Sequence, residues 1–382
     1  MTAARLQFIT PFHVMALLAR ARQLEAQGRS IVHMEIGEPD FVTPAPIVEA
    51  GIAALQSGHT HYTPALGLPA LRAAIAQDYR QRFGVEVPAE RIVVTPGASG
   101  ALQLLVAALV DPGSQVLMTD PGYPCNRNFV HLYGGEPLAI PVTAEQGYQL
   151  DAGLLRAHWT ARSVAALIAS PSNPTGTVLP RQDMAALLAA VRERGGHLIV
   201  DEIYQNLSYG GEPCTALELG DDMFVINSFS KYFGMTGWRL GWLVAPQAFI
   251  EPLDTLAQNL FLAAPTPAQH AALAAFHPGT LAILEQRRET FRARRDFLLP
   301  ALRELGFVIR REPEGAFYLY ADCSRFTDDS FRFARDMLET AGVAITPGID
   351  FGICDAARHV RFAYTSSLEQ LQLGVQRLAD FL

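Results

Sequence analysis

Between about residues 90 and 245, short β-branched or apolar runs alternate with helix-like stretches, and that rhythm leaves few architectures open. Ile92-Val-Val94 precedes a turn and an apolar helix expected over 98–110. Gln115 to Met118, Ala165 to Ile168, His197 to Val200, Met223 to Ile226 and Leu240 to Val244 are the next strand candidates, with helix-like stretches such as Arg181–Arg194 between several of them. Such alternation predicts βαβ units and an α/β fold with a mostly parallel, buried sheet between helices. A polar or glycine-rich segment follows five of these strands: Gly97-Ala-Ser-Gly100, Asp120-Pro-Gly-Tyr123, Ser170-Pro-Ser-Asn-Pro-Thr-Gly176, Asp201-Glu-Ile-Tyr204 and Ser228-Phe-Ser-Lys231. In open α/β sheets, ligands bind beyond the carboxyl ends of the strands, so these segments are expected to converge on one site.

At 382 residues the chain exceeds one typical domain, and two domains sharing a cleft are expected. From about 282 the texture shifts to amphipathic helices over 281–304 and 329–341, with Gly315-Ala-Phe-Tyr-Leu-Tyr320 and His359-Val-Arg-Phe-Ala363 as strands. The expected division is a large domain over 41–281 and a smaller α+β domain over 282–382. Residues 1–40 are expected to form an N-terminal arm and part of the small domain, with a helix near 12–27 returning to it.

Thirty Lys and Arg against 38 Asp and Glu give a formal net charge of −8, so no global basic field attracts nucleic acid or an anionic membrane. The densest basic stretch, Arg287, Arg288, Arg292, Arg294 and Arg295, is interleaved with Glu285, Glu289 and Asp296 and reads as a solvated helix face. No segment approaches the ~18 consecutive apolar residues of a membrane span. Cysteines 125, 214, 323 and 354 lie far apart with no CxxC pair, so a reducing, cytoplasmic compartment is expected. His59 and His61 have no acidic or cysteine partner nearby in sequence, and no metal is expected.

Lys231 carries the chemistry. It follows the apolar run Met223 to Ile226, with hydroxyls at Ser228 and Ser230 and with Arg239 eight residues beyond. A lysine amine in a desolvated, cation-rich pocket has a lowered pKa and forms a Schiff base with an aldehyde. Ser228 and Arg239 offer a hydroxyl donor and a rigid fork for a phosphate. Aldehyde and phosphate on one small molecule describe pyridoxal 5'-phosphate. Gly97, Ala98 and Ser99 open a helix directly after a strand, where backbone N–H groups make an anion site, although such a turn also serves plain helix–sheet packing. Asp201 ends a buried run. It reads either as a helix N-cap or as the carboxylate that keeps a pyridine nitrogen protonated.

These segments together resemble the class I/II aminotransferases, pyridoxal phosphate enzymes of fold type I. The resemblance runs from Gly37 to Arg361 and keeps the order Gly, Tyr, Gly-rich turn, Tyr, Asn, Asp-x-x-Tyr, Ser-x-x-Lys, Arg, Arg. It implies that Tyr204 and Asn173 bind the cofactor's phenolic oxygen, that Tyr123 lies on its ring, and that Gly97, Ala98, Ser99, Ser228, Ser230 and Arg239 hold its phosphate. It also implies that Arg361, with Asn173 and the turn at Gly37, grips the substrate α-carboxylate. Tyr62 matches a segment that reaches across a homodimer to the neighbour's phosphate. The Glu314-Gly-Ala-Phe-Tyr318 segment reads as structural rather than chemical.

The implied activity is transfer of an amino group from an L-amino acid to a 2-oxo acid, 2-oxoglutarate or pyruvate, through a Lys231 Schiff base, with Lys231, Asp201 and Tyr204 as the catalytic residues. The alternative within the same cofactor chemistry is a C–S β-lyase. A cofactor-sensing domain of a transcription regulator is disfavoured, because the resemblance begins by Gly37 and leaves no room for a winged helix. Bacterial aspartate-type relatives often carry a lysine where Ser99 stands, which puts aspartate specificity in doubt. The hydrophobic stretch Phe8 to Leu18 is expected to cover the site and to favour apolar or aromatic side chains.

Overall fold

The computed structural model describes residues 2–211 and 214–382. Its strands are β1 (Val32–His33), β2 (Ile92–Thr95), β3 (Gln115–Asp120), β4 (Glu136–Pro141), β5 (Ser163–Ala169), β6 (His197–Asp201), β7 (Phe224–Ser228), β8 (Gly241–Val244), β9 (Tyr318–Asp322), β10 (Val343–Ala344), β11 (Thr346–Pro347) and β12 (His359–Ala363). Seven of them form one sheet in the order β2-β8-β7-β6-β5-β3-β4. All are mutually parallel except β8, which runs antiparallel to β2 and β7. The mostly parallel sheet expected from the sequence is therefore present.

The strands read as continuous apolar runs because both sheet faces are covered. Alternate residues of one strand feed two cores: Ile92, Val94 and Val225 enter one, and Val93, Phe224 and Ile226 the other. β4 was not legible in the sequence. It is an edge strand with prolines at both 137 and 141 and several exposed or half-buried positions, which dilutes any strand signal.

The C-terminal part holds a three-stranded antiparallel sheet, β11-β12-β9. The strand expected from Gly315 starts only at Tyr318, because Ala316 sits in the left-handed region (φ 58°) and bends the chain first. β1 pairs in parallel with β10, and Ala363 N donates to Met34 O at 2.7 Å, so the segment after residue 34 runs alongside β12. The helix His13–Ala26 packs against β10 and β11. Among the described residues, no helix is long and apolar enough to cross a membrane.

Candidate active site

A cavity of about 380 Å³ lies where β2, β3, β5, β6 and β7 end, within the size range of small-molecule sites. Residues from all five strand-following segments line it, including Ala98, Ser99, Tyr123, Asn173, Asp201, Tyr204, Ser228, Ser230 and Lys231. Because β8 is antiparallel, its start lies at this same end, and Arg239, two residues before it, also reaches the cavity.

Lys231 sits three residues past β7 in a turn fixed from behind. Phe229 is fully buried, with its ring 4.9 Å from Trp242 and 5.0 Å from Phe233, while Ser230 N donates to Ser228 Oγ at 3.0 Å. The aromatic anchor leaves residues 228, 230 and 231 facing the cavity. Lys231 Nζ donates to Gly37 O at 2.7 Å. Burial lowers its pKa from 10.5 to about 8; Glu38 pulls the other way, and the Arg361 and Arg239 guanidiniums add to the lowering.

Asp201 is the last residue of β6, and its carboxylate is buried. Burial raises its pKa to about 6, opposed by a hydrogen bond from Ile203 N at 3.1 Å and by the Lys231 charge. Three residues after Asp201, burial keeps the Tyr204 hydroxyl protonated, and it lies 2.7 Å from the Tyr318 hydroxyl.

Arg361 sits in the middle of β12, opposite Tyr320 and Thr346. Its Nη1 donates to Asn173 Oδ1 at 2.8 Å, and its Nη2 donates to Glu35 O at 2.7 Å and Thr346 Oγ1 at 3.2 Å. The guanidinium lies 4.1 Å from the Tyr318 ring centre and 4.8 Å from that of Phe351. Among the described residues, its buried Nε has no hydrogen-bond partner. The Gly37 turn is stapled from outside by Asp40, which accepts a two-pronged bond from Arg294 at 2.8 Å on each oxygen.

At the other end of the cavity, Gly97 adopts φ +72°, and a Cβ there would sit 2.6 Å from Arg239 Nη2. Only glycine leaves this cradle open beside the guanidinium. The helix Gly97–Leu109 starts here, with Ala98 and Ser99 of its first turn in the cavity wall. Serine hydroxyls, a helix start and a guanidinium at one end suit a phosphate. One buried carboxylate and one amine of lowered pKa suit a pyridine N–H and an aldehyde. The donor set fits pyridoxal phosphate.

Among the expected residues, Gly97 and Tyr62 do not line this cavity, and Tyr62 is 83% exposed. Wall residues that the sequence did not single out include Tyr318, Thr346, Asp350 and Phe351. The Glu314–Tyr318 segment reads as structural in the sequence, yet Tyr318 lines the cavity beneath Arg361, a placement that nothing in a single sequence reveals. Asp350 carries no motif at all. Its carboxylate accepts from His13 N at 2.8 Å and Val14 N at 2.9 Å, and so caps the first helix from a distance of more than 330 residues. This cap draws Phe12, Val14 and Met15 into the cavity wall, with the Phe12 ring 6.4 Å from Tyr123.

Comparison with known proteins agrees with this geometry. The family model described as aminotransferase class I and II matches residues 29–378. The chain is 37% identical to a valine–pyruvate aminotransferase of Mycobacterium tuberculosis, over 98% of this chain and 97% of that one. It is 36% identical to an aspartate/prephenate aminotransferase of Thermus thermophilus, over 99% and 98%. A crystal structure of an aminotransferase from Mycobacterium tuberculosis superposes with a TM-score of 0.96 at 37% identity, covering 100% of this chain and 99% of that one.

Proposed function

The chain belongs to the class I and II aminotransferases, pyridoxal phosphate-dependent enzymes of fold type I, and from that premise we propose that its amino donor carries an apolar side chain and that its acceptor is pyruvate. The observation that carries this reading is the charge pattern of the cavity wall. Among the described residues, its only Lys or Arg side chains are Lys231, Arg239 and Arg361. In this reading all three are committed, to the cofactor aldehyde, the phosphate and the α-carboxylate. In this reading the side-chain end offers Phe12, Met15 and Phe351, with the Asp350 carboxylate among the wall residues. A second substrate carboxylate would meet no cation there and would face Asp350. The name of the Mycobacterium relative, valine–pyruvate aminotransferase, points the same way. The Thermus relative is named for aspartate and prephenate, and serine stands here where aspartate-type members often carry lysine.

Bound in the site, pyridoxal phosphate supplies a carbonyl carbon that takes up and returns an amino group, and a ring that accepts the electron pair left when the Cα proton departs. In the proposed assignment, Asp201 accepts a hydrogen bond from the ring nitrogen and holds its proton there. Tyr204 and Asn173 donate to the phenolic oxygen, and Tyr123 lies against the ring. Ser99, Ser228, Ser230, Arg239 and the N–H groups of Ala98 and Ser99 bind the phosphate. Arg361 grips the α-carboxylate and so aims Cα–H at Lys231. The Lys231 amine takes the Cα proton as general base and, in the second half, returns a proton to the Cα of the acceptor. Both halves use one site in turn, so the kinetics are ping-pong.

The same reading includes a homodimer in which the exposed Tyr62 reaches the neighbouring phosphate site, and a cytoplasmic location suited to the free thiols of Cys125, Cys214, Cys323 and Cys354. Substrate choice is tested by kcat/KM for valine, leucine and alanine against aspartate and glutamate, with pyruvate and with 2-oxoglutarate as acceptors. An unpaired buried carboxylate costs several kcal/mol, so apolar donors are expected to lead by ~10²-fold or more. Aspartate turned over as well as valine would overturn the reading.

A further inference from the structure

The side chain of Tyr318 stands where three parts of the site meet. Its hydroxyl lies 2.7 Å from the Tyr204 hydroxyl, and its ring lies 4.1 Å from the Arg361 guanidinium. Gly37, whose carbonyl accepts from Lys231, approaches so closely that a Cβ at 37 would run into the Tyr318 hydroxyl. Tyr318 is 1% exposed, and among the described residues its hydroxyl has no hydrogen-bond partner other than Tyr204.

A tyrosine hydroxyl has one proton to give. In the proposed assignment Tyr204 gives its proton to the phenolic oxygen of the cofactor. The 2.7 Å contact is then a hydrogen bond only with Tyr318 as the donor. We propose that Tyr318 is a positioning residue joining the two halves of the site: its hydroxyl donates to Tyr204 and strengthens the Tyr204 bond to the cofactor, while its ring fixes the plane of the Arg361 guanidinium for the substrate carboxylate. The inference rests on the roles proposed above for Tyr204 and Arg361. Hydrogen bonds in such a chain strengthen one another by ~10–30%. A desolvated guanidinium stacked on an aromatic face is held strongly enough for the loss of the ring to change binding on the order of tenfold.

The test uses the full chain loaded with pyridoxal phosphate, whose visible absorption titrates with pH. Tyr318→Phe keeps the ring and removes the hydroxyl, and Tyr318→Leu removes both. Tyr204→Phe and the double variant Tyr204→Phe/Tyr318→Phe complete a cycle. Weaker donation to the phenolic oxygen leaves it more basic, so the proton it shares with the lysine nitrogen is held to higher pH.

Tyr318→Phe is therefore expected to raise the midpoint by roughly a few tenths of a pH unit, with KM for the amino acid within about twofold of wild type. Tyr318→Leu is expected to raise the midpoint and also KM, by about tenfold. In the double variant the midpoint stays at that of Tyr204→Phe alone, because Tyr318 acts through Tyr204. A Tyr318→Phe midpoint equal to wild type, beside a shifted Tyr204→Phe, overturns the relay and leaves the Tyr204 role standing. An unshifted Tyr204→Phe overturns both. Lower melting temperature and cofactor occupancy in both Tyr318 variants, with no separation of midpoint from KM, would mean that Tyr318 only fills space and would overturn the proposal.

Discussion

Lys231 Nζ donates a 2.7 Å hydrogen bond to the carbonyl of Gly37, a residue 194 positions earlier in the chain. The amine is thus tied to a turn that is itself anchored, through Asp40 to Arg294 and through Ile36 O to Thr365 Oγ1 at 3.1 Å. The nucleophile and the substrate-side turn form one assembly.

Burial holds the Lys231 amine at about 8 instead of 10.5, and the neutral amine is the form that attacks an aldehyde. The rate at which cofactor-free protein takes up pyridoxal phosphate is expected to rise with pH and level off near 8. Stability follows the same shift. Between about 8 and 10.5 the unfolded chain keeps a proton that the folded protein has released, so this group's contribution to stability rises with pH across that window. Stopped-flow absorbance across pH checks the rate; a plateau delayed beyond pH 10 would contradict the assignment.

Arg361→Lys keeps a positive charge but loses the planar fork and the contacts to Asn173 and Thr346. Charge-assisted hydrogen bonds contribute ~1.5–3 kcal/mol, so kcat/KM for the amino acid is expected to fall about 10- to 100-fold, mostly through KM. Steady-state kinetics with one donor decide this. An unchanged KM would remove Arg361 from carboxylate binding.

Asp201→Asn can still accept from Ile203 N but carries no charge to hold a proton on a ring nitrogen. Transfer is expected to slow by ~10²-fold or more with the fold retained. Near-wild-type turnover together with a native circular dichroism spectrum would reduce Asp201 to a cap.

Glu202 lies beside Asp201 but takes no part in the site. Its carboxyl is pushed up to about 8 by burial, against donors at Ala216 N (2.7 Å) and Thr215 Oγ1 (2.9 Å). The unfolded chain releases this proton near 4.5 while the folded protein keeps it to about 8, so the group's contribution to stability is full below 4.5 and falls as pH rises through that window. Glu202→Gln stays neutral and can still accept from both donors. Urea midpoints at pH 5 and pH 8 are expected to fall further apart in wild type than in the variant. Parallel losses would mean that the carboxyl is ionised throughout.

Much of the site was legible because its residues sit at strand ends. Asp201, Ser228 and the turn at Gly97 follow apolar runs that declare themselves, and the parallel topology then collects them at one end of the sheet. Arg239 reaches the same end only because β8 reverses direction, which an apolar run cannot reveal. The substrate-side wall was hidden for a different reason. Tyr318 and Asp350 come from separate stretches, and their meeting with Phe12, which lies in the run expected to cover the site, depends on long-range contacts such as the cap that Asp350 places on the first helix. Local pattern carries no trace of such contacts. β4 was lost to its prolines and its edge position.

The most direct measurement is the visible spectrum of the cofactor-loaded protein during a half-reaction. Valine alone is expected to remove the band in proportion to the sites present, and pyruvate alone is then expected to restore it. Aspartate should act far more slowly. Return of the band without any oxo acid, with release of pyruvate and ammonia from an amino acid carrying a leaving group, would indicate elimination instead of transfer. A band that no amino acid changes would contradict the account.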